Sequence, residues 1–259
     1  HTWYKGREQI GYKKFYPHQL MKKFGNKPYV NINHSFHSLI PNNFDKNLSK
    51  KLLVFYLQKL VKNPHLHDKA EFEILFTCYD FTLHDRLNEL RKYNFTNNEI
   101  KKIHDKLYYF TEDIIKNFPS VMNYCNKSIA KMNDNRIQKI QSKNESYVDK
   151  LSIAESLLND CKNFGTTPFS LMARIAFISS TILKSFSKNK IFPESFIHEF
   201  MNSLETPLSE FQNDLTSFSQ NKITKKIFLK KYGHLRPGTY DITIPRYDKE
   251  NQFLQNIKF

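Results

Sequence analysis

Glycine is scarce in this chain. Six residues in 259 argue against turn-rich β architectures, and none falls in a G-x-x-x-x-G-K-[ST] or G-x-G-x-x-G pattern that would cradle phosphates. The absence of G-x-S-x-G argues against an elbow-type serine nucleophile. Cysteine is also rare. Cys78, Cys125 and Cys161 are odd in number and widely spaced, which suits buried free thiols in a reducing cytoplasm better than a disulfide framework. There is no C-x-x-C, and the closest histidine pairs, His34-x-x-His37 and His65-x-His67, lack a Cys or carboxylate partner at a ligand spacing, so no metal is expected. Apolar runs such as Ile74-Leu75-Phe76 are far too short to cross a bilayer. The first residues show neither a starting Met nor a signal-peptide core. The expectation is therefore a piece of a longer cytoplasmic chain with no membrane partner.

Aromatic side chains, by contrast, are plentiful. Phe 23 and Tyr 14 lift the aromatic share to 15% and rule out a disordered chain despite the charge. The length suits one large domain or two small ones. Lys+Arg 40 against Asp+Glu 25 gives a net +15, which raises nucleic acid or an anionic surface as partners. The lysines are spread along nearly the whole chain, on what read as solvent faces of helices, so a solvated surface is the favoured reading and no nucleic acid is expected. Arginine is different: only Arg7, Arg86, Arg91, Arg136, Arg174, Arg236 and Arg246 occur. Where lysine is the default cation, an arginine points to a need for its planar fork.

Periodicity predicts a mainly α fold with a small β element near the N-terminus. Residues 1–45 read as irregular and aromatic, with a strand at residues 27–33 where Val30 and Ile32 alternate with Asn31 and Asn33. Residues 46–233 read as helical. Leu48, Leu52, Tyr56 and Leu60 keep helical spacing up to the stop at Asn63-Pro64. Asp68 reads as the cap of a helix carrying Phe72, Phe76 and Tyr79, while the alternation Glu71-Phe72-Glu73-Ile74 leaves a strand open there, and Thr82 opens a short helix through Arg91. Thr96 with Glu99 forms a capping box ahead of Ile100, Ile103, Leu107 and Phe110. A long helix from Ser120 is expected to break near Asn133-Asp134-Asn135 or Ser142-Lys143-Asn144. Another ends at Gly165 as its C′ residue, and Thr167-Pro168 restarts the chain as cap and first helical residue. Helices from Pro193, Pro207 and Thr224 follow, the last closed by Gly233, and residues 234–259 read as a loop leading to a next domain.

That loop is the most informative stretch. Gly233-His234-Leu235-Arg236-Pro237-Gly238-Thr239-Tyr240-Asp241-Ile242, with Pro245-Arg246-Tyr247-Asp248, brackets a histidine and an arginine with glycines just past a helix end. It resembles the segment before the swivelling domain in the phosphoenolpyruvate synthase-like family. Three stretches agree in the same order: Gly25-Asn26-Lys27-Pro28-Tyr29-Val30 with Ser35-Phe36, then Asn63-Pro64-His65-Leu66-His67-Asp68-Lys69-Ala70-Glu71-Phe72-Glu73-Ile74, then Gly165-Thr166-Thr167-Pro168-Phe169 with Ala173-Arg174. The resemblance implies that residues 1–259 are the central, acceptor-binding domain of an ATP-dependent phosphotransferase. ATP and Mg would sit on an ATP-grasp domain of the same parent chain, and a mobile phosphohistidine domain would carry the phosphoryl group, so this piece alone would hold no cofactor and be inactive. Within the family, overall likeness rather than a diagnostic motif suggests the L-glutamine kinases of bacterial capsule phosphoramidate synthesis, which makes an amino acid such as L-glutamine the expected acceptor. Related sequences carry Asp and Arg where Asn31 and Asn33 stand, a departure that bears on acceptor choice.

Under that resemblance Arg236 and Arg174 supply the cations and the carboxylate clamp, His234 manages the proton, Glu71 or Glu73 receives an ammonium group, and Arg246 joins the substrate-binding set. Blander readings stand beside these: a helix cap for His234, a snorkelling side chain for Arg174, and solvated carboxylates for Glu71 and Glu73. At the level of the molecule the alternatives are a non-catalytic basic helical binding module and a structural spacer.

Overall fold

A computed structural model describes residues 2–14, 20–141, 146–236 and 243–249. The chain divides into two compact units, His1–Glu194 and Ser195–Phe259. Both are helical, and among the described residues the one sheet is a two-stranded antiparallel hairpin.

The first unit opens with α1 (Thr2–Gln9), in a stretch whose sequence reads as irregular. The hairpin follows, pairing β1 (Met21–Phe24) with β2 (Lys27–Val30). Gly25 and Asn26 both take positive φ, +52° and +63°, as a tight type I′ turn requires. The strand expected at residues 27–33 is cut short at Val30. There Asn31 caps α2 (Ile32–His37), its side chain accepting a hydrogen bond from the His34 backbone N–H at 3.1 Å. In α3 (Lys46–Lys62), Asp45 is the N-cap, and the helix stops at Asn63-Pro64 as expected.

The helix expected after Asp68 shrinks to the single turn α4 (Ala70–Glu73), with Lys69 at the cap position and no capping side chain. Residues 74–80 then cross the core without regular structure. Ile74, Leu75, Phe76, Thr77, Cys78 and Asp80 are all buried. Such a segment survives only if its backbone polar groups find partners. The partners are side chains from afar. Tyr56 hydroxyl accepts from Phe76 N–H at 3.2 Å, and Thr111 Oγ1 from Tyr79 N–H at 2.8 Å. Tyr12 hydroxyl donates to Thr77 C=O at 2.8 Å, and Arg86 Nη2 to Leu75 C=O at 3.2 Å.

Next come α5 (Leu83–Leu87), a 3₁₀ turn at Asn88–Tyr93, and α6 (Asn97–Gln141). The capping box at the start of α6 is present: Thr96 Oγ1 accepts from Glu99 N–H at 3.2 Å and Glu99 accepts from Thr96 N–H at 2.8 Å. The break expected near Asn133-Asp134-Asn135 does not occur, and the other candidate, Ser142-Lys143-Asn144, lies outside the described residues. Pro119 is tolerated mid-helix in a stretch, residues 115–120, that is exposed throughout, where water can take the carbonyl that proline leaves unpaired.

The interruption expected at Gly165 to Pro168 is also absent. A π-turn at Cys161–Thr166 joins α7 (Tyr147–Asp160) to α8 (Thr167–Lys188) in one continuous helix, with Thr166 itself in helical geometry. Pro168 cannot donate to the carbonyl four residues back, and Ser128 Oγ on α6 donates to that Phe164 oxygen instead, at 3.2 Å. Tyr147–Lys188 is long and apolar enough, by length and composition, to cross a membrane, which the short apolar runs of the sequence do not suggest. Within α8, however, Leu171, Arg174, Ile175 and Ile178 are buried, and the helix packs on α1 and α6. Cys78 and Cys125 are buried free thiols, whereas Cys161 is exposed, contrary to expectation.

The second unit contains α9 (Glu194–Ser203, opening at the boundary residue), α10 (Pro207–Ser219) and α11 (Lys225–Tyr232). Thr206 and Thr224 cap the last two helices. Its core is built around Phe228 and Tyr232, with Phe211, Leu215 and Phe218 packed on them.

Candidate functional site

In the first unit a half-open cleft of about 420 Å³ lies among α3, α4, α5 and α8. Its floor is set by the irregular segment. Asp80, with 1% of its side chain exposed, accepts from Arg86 Nη1 at 2.7 Å and from Thr82 N–H at 2.8 Å. Arg86 also lies 5.3 Å from the centre of the Phe76 ring. This is a charge pair held from both ends, because the same guanidinium ties Leu75 C=O to Asp80. On one wall Lys59 pairs with Glu89 at 2.6 Å. On the other, Lys184 of α8 sits 5.7 Å above the Phe72 ring, and Lys188 follows one helical turn later. Glu73 and Asp85 also line the cleft. Neither they nor Lys184 and Lys188 form an ion pair among the described residues. The cleft therefore offers two carboxylates and two ammonium groups around a hydrogen-bonded Asp80–Arg86 base.

The residues singled out from sequence fall in both units. Glu71 and Arg174 meet each other as a salt bridge. Arg174, 4% exposed on α8, also donates from Nε to Tyr12 hydroxyl at 3.0 Å and lies over the Tyr12 ring. Arg7 on α1, also buried, donates to Ser38 Oγ. Burial, and then the nearby Arg174, lower the Arg7 pKa to about 10, so it remains cationic at neutral pH. Burial pushes the Tyr12 phenol up to about 12. Glu73, two residues from Glu71, is exposed and lines the cleft.

His234, Arg236 and Arg246 belong to the second unit. His234 is exposed immediately after α11. Arg236 Nε donates to Ile244 C=O at 2.8 Å, and Arg246 pairs with Asp248. Tyr247 N–H to Leu235 C=O at 2.9 Å and Asp248 N–H to Gly233 C=O at 3.1 Å bring the two arms of the loop together. Gly233 ends α11 in helical, not left-handed, geometry. Glycine is required there for space: a Cβ would lie 2.4 Å from Leu229 C=O and 2.9 Å from Asp248 Cβ. Residues 237–242 lie outside the described residues.

Among the described residues no group of three or more His, Cys, Asp or Glu could hold a metal. Sequence reasoning missed Asp80, Lys184 and Lys188, and it noted Arg86 without giving it a role. The available signal for Lys184 and Lys188 was their i,i+4 spacing on a helix whose other face is apolar. No protein-family model, curated protein or solved structure matches the chain.

Proposed function

We propose that this chain is the acceptor-binding central domain of an ATP-dependent phosphotransferase that works through a phosphohistidine carrier, and that its acceptor is an amino acid, L-glutamine first among candidates. The observation that supports the reading is the cleft's paired set of opposite charges. A small zwitterion needs a carboxylate for its ammonium group and a cation for its carboxylate, a few ångströms apart. Glu73 and Asp85 are assigned the first role, Lys184 and Lys188 the second. Glu71 and Arg174, already committed to each other, hold α4 against α8 instead of touching the acceptor. By the family resemblance alone, the phosphoryl-handling role is assigned to His234, Arg236 and Arg246, which belong to the second unit. ATP and Mg belong, in this reading, to an ATP-grasp domain of the parent chain, in a cytoplasmic pathway of capsule synthesis.

Calorimetric titration of the chain with an amino-acid panel and with Mg-ATP tests the proposal. Saturable binding of L-glutamine that weakens roughly tenfold or more in Lys188→Gln, with no binding of Mg-ATP, is the expected result. Micromolar ATP binding, or phosphorylation of His234 by ATP, would overturn it.

A further inference from the structure

Between Glu8 and Asp45 the chain carries five lysines and no acidic residue. Three of those lysines, Lys22, Lys23 and Lys27, stand on the β1–β2 hairpin, all eight of whose strand residues are exposed. The register sets Lys22 opposite Tyr29 and Phe24 opposite Lys27. Cross-strand partners share a face, as do residues two apart along a strand. One face of the hairpin therefore presents Lys22, Phe24, Lys27 and Tyr29 together. Phe24 and Tyr29 are 61% and 52% exposed, with ring centroids 5.6 Å apart, edge to face. A lone two-stranded hairpin has no core of its own to hide such rings.

We propose that this face is a platform for single-stranded nucleic acid, with bases stacked on Phe24 and Tyr29 and backbone phosphates met by Lys22 and Lys27. Alternating rings and cations are what a strand of stacked bases and evenly spaced phosphates requires. A membrane-inserting hairpin would lead with apolar residues at its tip; here the tip is Gly25-Asn26 between Phe24 and Lys27, and the apolar pair Met21 and Val30 lies at the far end. An acidic protein surface would use the lysines and leave the rings without a role.

Fluorescence anisotropy of the 259-residue chain with labelled oligo-dT and oligo-U of about twelve nucleotides tests this, with a duplex, polyglutamate and phosphatidylserine vesicles as competitors. The expected result is single-strand binding whose log–log salt slope falls by about 0.7 for each of Lys22→Gln and Lys27→Gln. Phe24→Ala with Tyr29→Ala should weaken binding at least roughly tenfold at fixed salt while leaving the slope unchanged. All four side chains are solvent-facing, and unchanged thermal melting of the variants verifies that the fold persists. The proposal is overturned by no binding, by ring variants that bind as wild type, or by equal competition from duplex, polyglutamate or vesicles.

Discussion

At the residue scale, the most consequential group is the buried set around Tyr12. Two buried guanidinium groups, Arg7 and Arg174, lie near Tyr12, and Arg174 pairs with the partly exposed Glu71. Removing one partner of a buried ion pair strands the other charge, which costs more than the pair itself contributes. Glu71→Gln is expected to destabilise the protein by about 1–3 kcal/mol, and Glu71→Leu with Arg174→Met to recover most of that loss, measured by urea unfolding. Tyr12 gives a pH signature. Its phenol stays protonated in the fold up to about pH 12, whereas the unfolded chain ionises near 10. Its contribution is thus complete below pH 10 and lost as pH rises from 10 to 12, because the unfolded state sheds the proton first. Tyr12→Phe should remove this part of the alkaline decline, as read from melting temperature against pH.

At the scale of elements, the continuous helix Tyr147–Lys188 turns on one exchange of partners. Ser128 replaces the hydrogen bond that Pro168 cannot make to Phe164. Ser128→Ala should cost about 1–2 kcal/mol in the native background. In a Pro168→Ala background the cost should be smaller, since alanine supplies the backbone N–H that proline lacks, and a double-mutant cycle by chemical denaturation reads the coupling. The same exchange shows which parts of the fold were legible. Thr96 with Glu99, Pro207 and Thr224 mark their helix starts within a few residues, and all were readable. The run through Pro168 depends on a serine of a different helix, and residues 74–80 depend on Tyr12, Tyr56, Thr111 and Arg86. Local pattern carries no trace of such partners, so both stretches were misread. Of the cleft, Glu73 was legible as a carboxylate near a motif, but Asp80 was hidden in an apolar run and gains meaning only when Arg86 folds over it.

At the scale of the whole molecule, the chain is two helical units, each with its own aromatic core, and a net charge of +15. Against that excess of cations the cleft is balanced, with Glu73, Asp80, Asp85 and Glu89 facing Lys59, Arg86, Lys184 and Lys188. A surface merely carrying solvated lysines has no reason to gather acids and bases around one concavity. The most direct test is calorimetric titration with L-glutamine, glutamate and their deaminated and decarboxylated analogues. The account predicts saturable binding of the zwitterion. Glu73→Gln should weaken it roughly tenfold or more but leave the deaminated analogue untouched, and Lys188→Gln should do the same with respect to the decarboxylated one. Equal, charge-driven binding of every anion in the series, insensitive to Glu73, would contradict it.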